Sequence, residues 1–161
     1  MAAKPPMLPA IDIAAAPVVR GSDYPPPFAE RVGARLRRKL GDAAGLTQFG
    51  VNLTALPPGC ASSMRHWHVH EDEFVYVVEG ELTLVTDAGE QLLRAGMCAG
   101  FPAGKRDGHH LINRTQRDAT FIEIGTRRPG GDEGEYSDID MAVKIIDGVE
   151  RYVRKSNGAP Y

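Results

Sequence analysis

The stretch "EFVYVVEGELTLVTDAGEQLLRAG", residues 73–96, decides the fold. It reads as strand, tight Glu79-Gly80 turn, strand, Asp87-Ala88-Gly89 turn, strand. The pattern continues on both sides. Upstream, "TQFGVNLTAL" alternates Phe49, Val51 and Leu53 against Gln48, Gly50 and Asn52, the period of two that a half-buried strand requires. Downstream, "CAGFPAG", "HHLIN" and "ATFIEIGT" add three short strands. Near the end, "MAVKII" and "VERYVRK" flank Asp147-Gly148, a pair that tolerates the positive φ of a type I′ hairpin. Many short strands with Gly and Pro turns and almost no helix predict an all-β sandwich or barrel.

The N-terminal region differs. Pro5, Pro6, Pro9, Pro17, Pro25, Pro26 and Pro27 remove backbone donors and fix φ, so residues 1–44 are expected to form an irregular arm on the barrel. Within it, "FAERVGARLRRKLG" repeats Phe28, Val32, Leu36 and Leu40 every fourth residue. That spacing favours a short helix, with an extended strap as the alternative. Residues 128–161 form a C-terminal extension ending in the hairpin.

Length and composition bound the function. The 161 residues fit one domain, and 42% hydrophobic with 25% charged residues describe a globular chain. Lys plus Arg number 19 and Asp plus Glu 21, a balance that gives no reason to expect nucleic acid. The cluster Arg35, Arg37, Arg38 and Lys39 reads as a solvated face. No run is long and apolar enough for a membrane span, and "MAAKPPMLPAIDIAAAPVV" lacks a signal-peptide core. Cys60 and Cys98 are too few for a disulfide framework, and Cys98 reads as a small buried hydrophobe. A cytoplasmic location is the expectation.

The chemistry concentrates just before the deciding stretch, in "MRHWHVH", residues 64–70. On a strand, alternate side chains share a face, so His66 and His68 point the same way, roughly 6.5–7 Å apart along the backbone. Glu73 shares the inward face of the next strand with Val75 and Val77. A carboxylate there is costly to bury unless paired or metal-bound. Two imidazoles and a carboxylate with open positions form the donor set of non-haem iron and related sites. His70 has the same parity but lies at the bend and is read as a rim residue. Arg65 and Trp67 face the exterior, and "DEGEYSDID", residues 132–140, reads as a solvated acidic loop. Alone, H-x-H is weak: a pair of surface strand histidines gives the same pattern.

The second half strengthens it. Gly59, His66, His68, Glu73 and Gly80, in "PPGCASSMRHWHVHEDEFVYVVEGE", resemble the first cupin motif, with its H-x-H, four residues, Glu, six residues, Gly. Gly96, Pro102, Gly104, His109 and Asn113, in "GMCAGFPAGKRDGHHLIN", resemble the second. The resemblance spans residues 45–127. It implies a single jelly-roll β-barrel holding one divalent transition metal (Fe, Mn, Ni, Co or Zn) on His66, His68, Glu73 and a histidine of the second motif. His109 keeps the spacing to Asn113 and is chosen. His110 competes, because two extra residues intervene and can shift strand phase, and Asp107 stands where the family places its histidine.

Compact proteins of this kind resemble bacterial cupins assigned as sugar-phosphate isomerases. The resemblance thus implies metal-assisted isomerase-type chemistry on a small polar metabolite. A non-catalytic metal- or ligand-binding module, and a metal-dependent dioxygenase or lyase, remain the alternatives. Lys105 and Arg106 are the cations nearest the motifs, and no catalytic acid or base is assigned. Cupins are commonly dimers, so a homodimer is expected.

Overall fold

The computed structural model describes residues 9–161, so Pro5 and Pro6 lie outside the described residues. In chain order the strands are β1 Val18–Arg20, β2 Leu36–Lys39, β3 Phe49–Leu56, β4 His66–His68, β5 Glu73–Glu79, β6 Glu81–Thr86 and β7 Gly89–Arg94. There follow β8 Cys98–Phe101, β9 His110–Ile112, β10 Ala119–Thr126, β11 Gly134–Tyr136, β12 Ala142–Ile146 and β13 Val149–Val153. All pairings are antiparallel, in three sheets ordered β1-β2-β3-β10-β5-β8, β13-β12-β11-β4 and β7-β6-β9. The architecture is all-β and consistent with a jelly roll, as expected.

The main core lies between the six-stranded and three-stranded sheets. Leu56, Val75, Val77 and Phe121 from one meet Leu82, Leu84, Leu93 and Leu111 from the other, all buried. Alternation explains the sorting: Val75 and Val77 point in, while Phe74, Tyr76 and Val78 point out and are exposed. The Glu79-Gly80 turn depends on glycine twice over. Gly80 has φ 80°, and a Cβ there would meet that of Ala119 at 2.9 Å. At the C-terminal hairpin, Asp147 (φ 53°) and Gly148 (φ 74°) supply the positive φ pair read from the sequence.

Three expectations are corrected. The arm is less irregular than its prolines suggest, since β1 and β2 extend the main sheet onto β3. Residues 28–40 are not a helix. They give a 3-10 turn at Ala29–Val32, then strand β2, then one helical turn at Leu40–Ala43. Pairing with β3 wins because it places Arg37 opposite the buried Thr54 and against Glu123, whereas an isolated short helix has little stability of its own. Cys98 is exposed, not buried: it lies opposite Tyr76 on the outward face of edge strand β8, while Cys60 is buried. The arm also packs on the C-terminal sheet, where the Tyr24 ring meets Tyr136 and Tyr152 edge-on at 5.5 and 5.8 Å between centroids.

Candidate metal centre

The sheets deliver four side chains to one place. Strand β4 carries His66 and His68, with Trp67 turned the other way and buried, Arg106 lying over its ring at 5.2 Å. Glu73 opens β5. His109 is brought in by the backbone, because its amide donates to the His66 carbonyl at 2.9 Å and the reciprocal bond is 3.2 Å. Behind β4, Gly134 of β11 approaches so closely that a Cβ would lie 2.6 Å from the Trp67 carbonyl oxygen.

The nitrogen positions define the donor set. Nδ1 of His66 lies 2.9 Å from the Met64 carbonyl, Nδ1 of His68 3.0 Å from Asp132 Oδ2, and Nδ1 of His109 a long 3.5 Å from the Asp107 carbonyl. A carbonyl or carboxylate only accepts, so Nδ1 of His66 and of His68 carries a ring proton, which leaves Nε2 of the neutral rings free to donate to a metal, while Nε2 of His109 bonds the Glu73 carboxylate. The three Nε2 atoms converge. His66 Nε2 is 3.0 Å from His68 Nε2, and Glu73 Oε2 is 3.1 Å from His109 Nε2 and 3.5 Å from His68 Nε2. Three imidazoles and a carboxylate facing one another form a donor set that could hold a metal ion. This is how protein metal sites orient imidazoles. His66, His68 and Glu73 have donor atoms all within 4.8 Å of one another, a group that could hold a metal, and His109 joins through Glu73.

The titration shifts express the same crowding. Burial, with His68 next to it, lowers His66 to about 3. Burial opposes charge on His68 too, but hydrogen bonds and charge from Glu73 and Asp132 outweigh it and raise His68 to about 9. Burial pushes the Glu73 carboxyl up, and the hydrogen bonds from His109 and His68 overcome this and hold it well below its ordinary range. Without metal, then, a proton on His68 takes the cation's place.

The competitors named in the sequence lie elsewhere. Nδ1 of His110 is 3.0 Å from the Ser63 carbonyl, away from the cluster. Asp107 accepts the Asp87 amide at 2.9 Å and pairs with Lys105. His70 is exposed, and its amide donates to Asp132 Oδ1 at 2.9 Å. Asn113 is fully buried and structural: its amide nitrogen donates to the Leu56 and Arg117 carbonyls, both at 2.7 Å. Phe101 stacks on the His109 ring, with centroids 3.6 Å apart and planes parallel to 1°.

Two residues escaped the sequence reading. Asp132, assigned to a solvated loop, is 6% exposed and bonds both His68 and the His70 amide. No local signal marks it, because its placement depends on Gly134 pairing with His68. Arg35, assigned to a solvated face, is also 6% exposed, and with Arg37 it lines the same cavity as His66, His68 and Glu73. The cavity measures about 380 Å³. The motif-adjacent cations Lys105 and Arg106 do not line it.

Comparison with known proteins identifies the fold and family. Residues 52–125 match the model of the cupin domain. The chain is 46% identical to a structure described as a sugar phosphate isomerase from a cupin superfamily, from Silicibacter pomeroyi. That match covers 95% of this chain and 96% of that one, with a TM-score of 0.90. A protein from Acidithiobacillus ferrooxidans, provisionally described as a sugar phosphate isomerase, is 28% identical over 76% of this chain and 78% of its own, with a TM-score of 0.71. The polyketide cyclase RemF from Streptomyces resistomycificus shares the fold at 20% identity over 78% of this chain and 84% of its own, with a TM-score of 0.61. A comparison with curated proteins gives no match. The cupin-domain match spans both histidine motifs and the Silicibacter likeness runs nearly end to end, so the chain belongs to the cupin superfamily.

Proposed function

We propose that this chain is a metal-dependent isomerase acting on a small polar metabolite, with one divalent transition metal held by His66, His68, Glu73 and His109. The observation that carries this reading is the convergence of three imidazole Nε2 atoms and one carboxylate, with His66, His68 and Glu73 lining a cavity of about 380 Å³ and His109 reached through Glu73. That volume lies within the range of small-molecule sites, roughly 300–1,000 Å³. A metal there supplies a Lewis acid able to polarise a carbonyl or enediol oxygen. The chain supplies the rest. Met64, Asp132 and Asp107 anchor the imidazoles through Nδ1, and Phe101 fixes the plane of His109.

Isomerisation also needs a group that carries a proton between neighbouring carbons, and Glu123 fills that role. It lines the cavity on the inward face of β10, opposite Val75, with Glu73 diagonal to it. Burial raises its carboxyl above the ordinary range despite Arg37. A carboxyl tuned upward suits proton transfer near neutral pH. Arg37 Nε lies 2.6 Å away, off the hydrogen-bonding direction, and Asn52 donates at 3.0 Å, so the carboxylate is held in place. A sugar phosphate as substrate class is supported by the description of the Silicibacter relative.

The test is interconversion of aldose and ketose phosphates by the metal-loaded protein. Wild type turns over, and Glu123→Gln lowers kcat by about 10²–10⁴-fold at unchanged metal content. No turnover across a panel of such phosphates contradicts the isomerase reading and leaves the binding-module or dioxygenase and lyase alternatives.

The chain is further proposed to form a homodimer. Phe74, Tyr76 and Val78 are 40%, 41% and 44% exposed in one row on the outward face of the six-stranded sheet. Ile122 and Leu53 continue that face in register with Tyr76. A contiguous apolar sheet face of this kind favours burial against a second copy.

A further inference from the structure

Arg35 is a buried cation without an anion. Its guanidinium donates to the Ser62 carbonyl and, at 2.9 Å, to the Gly21 carbonyl, and its Nε has no partner. Among the described residues no carboxylate lies within ion-pairing reach of it. Such a charge is costly to bury unless something pairs with it. The carboxylates on its cavity are engaged elsewhere or lie outside: Glu123 with Arg37, Glu73 with the histidines, Glu71 with the Arg128 amide, Asp72 with the Ala103 amide, and Asp23 exposed.

The surroundings suit an oxyanion. Arg35 shares one cavity with His66, His68 and Glu73, and Tyr24 and Ser63 also line it. Arg37, two residues on, adds a second positive charge on the same side of the strand. Resting on the reading of this cavity as the metabolite site, we infer that Arg35, with Arg37 beside it, seats the phosphate group of a phosphorylated substrate. The opposite end of the substrate then reaches His66, His68 and Glu73. A guanidinium matches phosphate by paired N–H donors, and a dianion offsets the charge that Arg35 leaves unpaired.

The experiment is calorimetric titration of inorganic phosphate into the full chain at measured metal content, with acetate as a singly charged comparator. Wild type binds phosphate saturably and acetate far more weakly. Arg35→Met weakens phosphate binding by at least about 30-fold, the loss expected when one partner of a buried charge pair is removed. Arg35 also ties Ser62 and Gly21, so a second variant guards against misfolding. In Arg37→Met/Glu123→Gln the ion pair is removed as a unit, and phosphate binding is expected to weaken by a smaller factor. Three results overturn the inference: no saturable phosphate binding by wild type, acetate binding as tightly as phosphate, or variants that bind phosphate like wild type. The last would mean that phosphate goes to the metal directly. Phosphate held at Arg35 in a chain that takes up none of the five divalent metals would sink the isomerase reading alone. Full metal occupancy without phosphate binding would sink this inference alone.

Discussion

His68 has its two ring nitrogens in different service. Nδ1 donates a hydrogen bond to Asp132 and Nε2 turns toward His66 and Glu73. Asp132 therefore fixes which nitrogen is free to donate to a metal, and it holds the loop at His70 by the same carboxylate. Removing such an outer partner costs about 10–100-fold in metal affinity. Asp132→Ala is expected to fall in that range in a competition titration against a chromophoric chelator, with the fold retained by circular dichroism. An affinity equal to wild type would show that the His68 tautomer does not depend on Asp132. At this scale the sequence was informative where donors repeat on one strand or sit at motif spacing, as with His66, His68 and Glu73. It was silent on Asp132, which arrives from 64 residues further along the chain.

Strand β2 shows what local pattern leaves out. The four-residue apolar repeat running through it from Phe28 to Leu40 is compatible with a helix, and the cations Arg35, Arg37, Arg38 and Lys39 with a wet surface. Pairing with β3 decides otherwise, sending Arg37 inward toward Glu123 and Arg38 outward. The alternation Arg35, Leu36, Arg37 was the one trace of this in the sequence, and it has meaning only once a strand is assumed. Strands with their own turn signals were legible: β5, β6 and β7 follow from Gly80 and Gly89, and β12 with β13 from Asp147-Gly148. The Gly80 turn gives a test at this scale. Gly80→Ala imposes a left-handed conformation on a side chain and drives its Cβ into Ala119. It is expected to cost about 1–3 kcal/mol in denaturant unfolding. Wild-type stability would mean that the β5–β6 turn can relax away from β10.

At the scale of the whole molecule, an interior cavity carries the candidate site, and one sheet presents a row of exposed apolar residues outward. The N-terminal strands extend that sheet, while Tyr24 and Phe28 reach the C-terminal tyrosines Tyr136, Tyr152 and Tyr161, so the arm ties the two ends of the chain together. If the outward row of Phe74, Tyr76 and Val78 is a dimer face, light scattering gives twice the chain mass, and Tyr76→Glu gives the chain mass with unchanged circular dichroism. A wild-type monomer would reject the dimer. No helix among the described residues is long and apolar enough to cross a membrane. The central claim concerns the interior: Nε2 of His66, His68 and His109 and the Glu73 carboxylate are the proposed donors to one metal ion. Elemental analysis of protein purified without added metal tests it most directly. The account predicts about one transition-metal ion per chain in wild type and almost none in His66→Ala and His109→Ala, since each variant removes one donor of the set. Equal metal content in all three, or none in wild type after incubation with Fe(II), Mn(II), Ni(II), Co(II) and Zn(II) in turn, would contradict it.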